Sequence, residues 1–263
     1  MTGGDPAALF RRLRSGSDGA SDRLAMTFLA ADLSAVQYSF ARLFERVDEM
    51  ALRLHRLGQP HGATVGILVQ SQESQVLHYL SALSAGLVPA ILTPPNRKLD
   101  REYYERTMAS VLDYCRFGVV VTDLAGIQTT SMIVEPDSMQ VRQRSGWQSD
   151  APPVDGAFLQ FSSGTTGIKR GVLVSAAAAT AQIEAYARAI GLADGDRILG
   201  WLPLYHDMGF MTSLNMALAC GVHSLMMQPL DWVADPGLYL RAASAHRATL
   251  GWHPNFALSL IHI

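Results

Sequence analysis

Cysteine is nearly absent from this 263-residue chain: Cys115 and Cys220 stand far apart, without the spacing of a metal site. They read as two reduced, buried thiols of a cytosolic protein. Charge of one sign is also missing, since 17% of residues are charged and the formal net charge is -2, which argues against a general nucleic-acid binder. No apolar run approaches the roughly 20 residues that span a bilayer. The N-terminal "MTGGDPAALFRRLRSGSDGASDR" has no apolar core, so it is no signal peptide. There is no internal repeat. The early strand-like "VGILVQSQES" is not followed by a Gly-x-Gly-x-x-Gly turn, which argues against a dinucleotide-binding oxidoreductase. These absences together predict a soluble, cytoplasmic protein with no nucleic-acid partner and no membrane span.

What is present is a core-forming chain. Hydrophobic residues make up 49% of it, enough to exclude global disorder. Phe40, Leu43, Phe44, Val47, Met50, Ala51, Leu54 and Leu57 recur at helical steps, and Gly58 supplies a left-handed stop. "ATVGILV" reads as a buried strand. A helix capped by Ser71 and closed by Gly86 follows it, and "LVPAIL" returns to strand. A helix over 101–114 precedes the strands "FGVVVTD" and "SMIVEP". Further on, a helix with Ser175 at its N-cap, a strand in "DGDRILG", a helix-to-strand passage in "NMALACGVHSLMMQ" and a helix beginning near Pro236 continue the alternation. This order predicts an α/β fold of layered, mostly parallel sheets with flanking helices. Residues 135–155 turn polar and contain Pro152 and Pro153, dividing the chain into a first α/β subdomain over 1–150 and a second segment over 151–263.

One connection is chemically overloaded. In "FLQFSSGTTGIKRGVLVS", from Phe158 to Ser175, two strand-like runs flank a loop of hydroxyls, glycines and two cations. Consecutive backbone N–H groups in such a loop can form an anion-binding nest. Ser162, Ser163, Thr165 and Thr166 offer hydroxyls, Gly164 and Gly167 allow close approach, and Lys169 and Arg170 add positive charge. The same composition also describes an ordinary hairpin loop. A second block, "WLPLYHDMGF", places His206 beside Asp207, which reads either as a satisfied histidine or as an acid–base or orienting pair.

The loop resembles the phosphate-loop signature of the adenylate-forming superfamily, Tyr/Phe-Ser/Thr-Ser-Gly-Ser/Thr-Thr-Gly-x-Pro-Lys-Gly. Residues Phe161 to Gly167 match it position by position, and Gly171 matches its end. Lys169 stands where the pattern has Pro, Arg170 where it has Lys, and Ala176 where His often follows. "WLPLYHDMGF" is similar to the next motif in the form found in fatty acyl-AMP ligases and some acyl-CoA ligases. "AGLVPAILTPPNRKLDREYY" echoes the family's Pro-Pro turn. "HPNFAL" resembles Gly-Gly-Pro-Asn-Phe-Ala-Tyr, with His253 replacing a glycine. The likeness runs from about Ser39 to Leu258.

The resemblance implies the incomplete N-terminal domain of an adenylate-forming enzyme. The substrates it implies are ATP with Mg²⁺ and a carboxylic acid of the fatty type, and the acceptor it implies is an acyl-carrier protein or CoA. It implies that Ser162, Ser163, Gly164, Thr165, Thr166, Gly167, Lys169 and Arg170 hold the ATP phosphates. It also implies that His206, Asp207, Asn255 and Phe256 line the acyl and adenylate pocket. The Mg²⁺-associated Glu, a ribose-binding Asp and the catalytic Lys of a C-terminal lid domain have no counterpart here, so the chain alone is expected to be inactive. "SLIHI" at the end resembles translated adapter sequence. A decayed, non-catalytic acyl- or nucleotide-binding module is the alternative, suggested by Lys169, Arg170 and Ala176.

Overall fold

The computed structural model describes residues 5–95, 100–127, 129–143, 153–161 and 170–261. The chain opens with α1 (Pro6–Ser15) and the hairpin of β1 (Leu24–Leu29) and β2 (Ala35–Ser39). No local periodicity in the sequence announces either of them. Next come α2 (Phe40–His55), β3 (Thr64–Leu68), α3 (Gln72–Ser84), β4 (Val88–Ile91), α4 (Arg101–Cys115), β5 (Val119–Thr122) and β6 (Met132–Val134). A short β7 (Val141–Gln143) stands in the polar stretch. β8 (Phe158–Phe161), β9 (Gly171–Val174), α5 (Ala176–Ala189) and β10 (Arg197–Gly200) follow. Then come α6 (Asp207–Gly209), a π-helical turn (Phe210–Met216), α7 (Ala217–Ala219), β11 (His223–Met227), α8 (Pro229–Ala234), α9 (Gly237–His246) and α10 (Asn255–Ile261).

Local chemistry accounts for most of these bounds. The apolar stripe of α2 is buried from Phe40 to Leu54, and Gly58 follows at φ +72°. Ser71 caps α3 by accepting the Ser74 N–H, and Asp100 caps α4 by accepting that of Tyr103. Helix α3 is buried on nearly every side, and its buried Gln75, His78 and Ser81 side chains hydrogen-bond to the backbone carbonyls of Val69, Ser74 and Leu77. Ser175 accepts the Ala178 N–H at the start of α5, as expected of an N-cap.

Two compact units result. The first comprises residues 1–10 and 46–179, the second residues 11–45 and 180–263. In the first, five strands run in the order β4-β3-β5-β6-β7, parallel except for β7 against β6. Every residue of β3, β4 and β5 is buried, the pattern of a parallel sheet covered on both faces. β8 and β9 form a separate antiparallel hairpin in this unit. In the second, the order is β10-β11-β1-β2, with β11 parallel to both neighbours and β2 antiparallel to β1. The fold is thus α/β with mostly parallel sheets and flanking helices. One local expectation differs: the helical part of the passage leading to β11 begins upstream as a π-helical turn at Phe210.

Candidate functional site

The first unit presents the hydroxyl-rich connection as a hairpin. Register closes at Phe161 opposite Gly171, so residues 162–170 form the link between β8 and β9. A Cβ on Gly171 would lie 3.3 Å from the Phe161 ring, so a small residue suits the hairpin base. Ser162, Ser163, Gly164, Thr165, Thr166, Gly167 and Lys169 lie outside the described residues. Arg170 lies inside them, is exposed, and has no hydrogen-bond or ion-pair partner among them. It lines a cleft of about 870 Å³ that continues along α4, past Arg106, Tyr103 and Tyr114.

The second unit holds the other candidates. β10 delivers Trp201 into a buried aromatic cluster, where it stacks on Trp232 at 3.8 Å and 10°. The Phe256 ring stands edge-on to both, at 6.4 and 6.2 Å. Trp201 Nε1 donates to His253 Nδ1 at 2.9 Å. That bond fixes the neutral imidazole with its proton on Nε2. Burial lowers the His253 pKa, which favours the same neutral state. The His253 ring also stands edge-on to Tyr239 at 4.4 Å. The "WLPLYHDMGF" and "HPNF" segments, 52 residues apart between Trp201 and His253, are therefore joined directly. Asn255 is exposed at the first position of α10.

His206 and Asp207 occupy an exposed turn leading into α6. His206 Nδ1 lies 2.7 Å from Asp207 Oδ1 and 3.4 Å from the Met208 amide nitrogen. One nitrogen cannot serve both in the neutral ring. The shorter contact puts the proton on Nδ1, donated to the carboxylate, and leaves Nε2 free to accept. Asp207 Oδ1 also accepts the Met208 N–H at 2.7 Å, so the carboxylate both orients the imidazole and caps the turn. The π-helical turn then packs close to β10: a Cβ on Gly200 would lie 2.3 Å from Ser213 Oγ. Such turns inside α-helices cluster at functional sites.

Nothing in the local sequence pattern joins Trp201, His253 and Tyr239 into one set. The signal was available only as an unusual density of aromatics in "WLPLYHDMGF", "LDWVADPGLYL" and "GWHPNF". Among the described residues, no three His, Cys, Asp or Glu side chains converge as metal ligands. No described helix is long and apolar enough to cross a membrane.

Residues 14–258 match a family model described as AMP-binding enzyme. The chain is 25% identical over 269 residues to the long-chain-fatty-acid–AMP ligase FadD26 of Mycobacterium marinum, covering 94% of this chain and 45% of that protein. It is 26% identical over 260 residues to the long-chain-fatty-acid–AMP ligase FadD32 of Mycolicibacterium smegmatis, covering 90% and 40%. Its fold is similar to that of a fatty acyl-adenylate ligase from Legionella pneumophila solved with acyl adenylate and pyrophosphate. There the TM-score is 0.80 and the identity 22%, with coverage of 95% of this chain and 45% of that one. The chain thus spans less than half the length of these relatives.

Proposed function

The chain belongs to the AMP-binding enzyme family, and on that premise we propose that it forms the N-terminal part of an ATP-dependent acyl-adenylating ligase. The whole ligase activates a fatty acid as acyl-AMP and passes the acyl group to an acyl-carrier protein or to CoA. The carrier-protein type is preferred because "HDMG" and "PNFA" follow the acyl-AMP ligase form of their motifs. The observation that carries this reading is the hairpin: the signature connection joins two antiparallel strands and leaves the Arg170 guanidinium exposed at its end.

The carboxylate of the acid attacks the α-phosphorus of ATP, the Pα–O bond to the β-phosphate breaks, and pyrophosphate leaves with the electron pair. This chemistry needs position and charge stabilisation more than a reactive side chain. Backbone N–H groups and hydroxyls of residues 162–167 hold the β- and γ-phosphates, while Lys169 and Arg170 offset charge on the departing pyrophosphate. His206, oriented by Asp207, presents Nε2 where acyl chain and adenylate meet, and Asn255 and Phe256 contribute to that wall. The described residues supply no metal-ligand cluster. Mg²⁺ would accompany ATP and offset charge on its phosphates, and no step is assigned to it here. The 263 residues alone do not complete adenylation, because the acidic and lysine groups that the resemblance calls for are not among them.

Fatty-acid-dependent ATP–pyrophosphate exchange tests the reading. In a ligase extended to the length of its relatives, exchange is expected with fatty acids, and Arg170→Ala should lower it about 10- to 100-fold. Absence of exchange with every acid would favour the non-catalytic module suggested by Lys169, Arg170 and Ala176. Exchange above background by the 263-residue chain would overturn its proposed inactivity.

A further inference from the structure

A cavity of about 220 Å³ lies in the second unit, between α5 and the helical stretch that follows His206. Ile183, Met208, Met211 and Met216 give it apolar walls. Unbranched methionines adapt to a flexible chain better than branched side chains do. The volume is below the roughly 300–1,000 Å³ of sites that engulf a drug-sized ligand, so it suits one segment of a longer molecule.

The polar groups at this cavity narrow the ligand further. Asp207 lines it, and none of its described lining residues is cationic. A carboxylate head would meet repulsion there, so the segment that enters is the neutral part of an acid. Tyr186 also lines it, and its hydroxyl oxygen accepts the Trp252 Nε1 proton at 2.6 Å. That bond fixes the phenol oxygen and leaves its own O–H to be donated. No described residue takes that proton. Gln182, four residues earlier on α5, lines the cavity on the same helix face.

We infer that this cavity receives a segment of the acyl chain carrying an oxygen substituent, a hydroxyl or keto oxygen that accepts the Tyr186 O–H. The substrate class is then an oxygenated acyl chain rather than a plain saturated one. This rests on the acyl-ligase reading above. A site holding a hydrogen-bonding group toward its ligand disfavours the analogue that leaves that group unpaired.

Calorimetric titration of the 263-residue chain with octanoic acid, and with octanoic acids bearing a hydroxyl or keto group at successive positions, tests it. At least one oxygenated acid is expected to bind about five- to tenfold more tightly than octanoic acid. Tyr186→Phe should bring the two to parity while leaving octanoic acid binding in place. Gln182→Leu, at an exposed helix position that does not touch Trp252, should also lower the preference if the phenylalanine variant misfolds. Equal binding of all acids, or a preference that survives both substitutions, overturns the inference alone. Failure of every acid to bind overturns it together with the acyl reading.

Discussion

The two compact units are built on opposite plans. The first is aliphatic and local: Val, Ile, Leu and Ala make up most of β3, β4 and β5, and β3 pairs with strands reached through single crossover helices. Its candidate function sits on one connection of hydroxyls and backbone. The second is aromatic and non-local: β1 pairs with β11, about two hundred residues later, and Trp201, Trp232, Tyr239, His253 and Phe256 are drawn from four separate segments. Its polar groups are tied to one another, as in Trp201–His253, Trp252–Tyr186 and Thr27–His223. A unit whose site is a loop can vary its core; a unit whose core carries the site cannot.

The contrast is broken most sharply at Trp232. It is fully buried and stacked on Trp201, so Trp232→Ala should cost about 3–5 kcal/mol, measured by urea unfolding. Its Nε1 has no described partner. Trp232→Phe therefore keeps an aromatic stack, sheds an unpaired donor, and should cost less than about 1.5 kcal/mol. Equal losses for the two variants would mean the cluster is mere filling.

Next in size is Gly251→Ala. Its Cβ would fall 1.9 Å from Tyr239 Oη and 3.1 Å from the Leu199 carbonyl oxygen. The Tyr239 ring must shift, taking the edge contact with His253 with it, for a cost of about 1–3 kcal/mol. His253→Leu should follow. It leaves the Trp201 N–H, on a side chain that is almost wholly buried, without its acceptor, at about 1–3 kcal/mol. Both are checked by thermal melting against a first-unit control such as Ile67→Val, expected near 0.5–1.5 kcal/mol.

This division also explains what could be read from sequence. Helix α2 and strands β3 to β6 follow local periodicity, so Phe40, Gly58, Ser71 and Gly86 mark real boundaries. The β1–β2 hairpin escaped because "LAMTFL" earns its strand state by pairing with β11, a partner no local pattern announces. The π-helical turn escaped for a related reason. Its burial from Phe210 to Met216 is nearly continuous and carries no period of its own. The candidate loop was legible because its chemistry is written in consecutive residues. The Trp201–His253 bond was not, because nothing in the order of residues states that β10 and the start of α10 are neighbours.

The smallest effect expected is a difference in acid response. His78 in the first unit and His223 in the second are both held below the ordinary histidine pKa, chiefly by burial, His223 down to about 4. A depressed histidine is neutral in the fold and charged in the unfolded chain at intermediate pH. The unfolded state then binds more protons, and stability falls as pH drops from about 6.5 toward 4. The surroundings differ, however. The His78 nitrogens lie 2.7 Å from the Ser74 oxygen and 3.1 Å from that of Pro136, with Asp137 nearby favouring the proton and Arg46 opposing it. A protonated ring gains a second hydrogen bond there. His223 faces Arg197 and His246, both of which oppose protonation, and its Nε2 contacts the Thr27 hydroxyl at 2.8 Å. Hydrogen exchange at pH 7 and pH 5 should therefore show the amides of β10 and β11 losing protection before those of β3 and β5. His223→Gln should flatten that loss while leaving the first unit unchanged. Equal loss in both sheets would mean that the charged neighbours, and not burial alone, have been given too much weight.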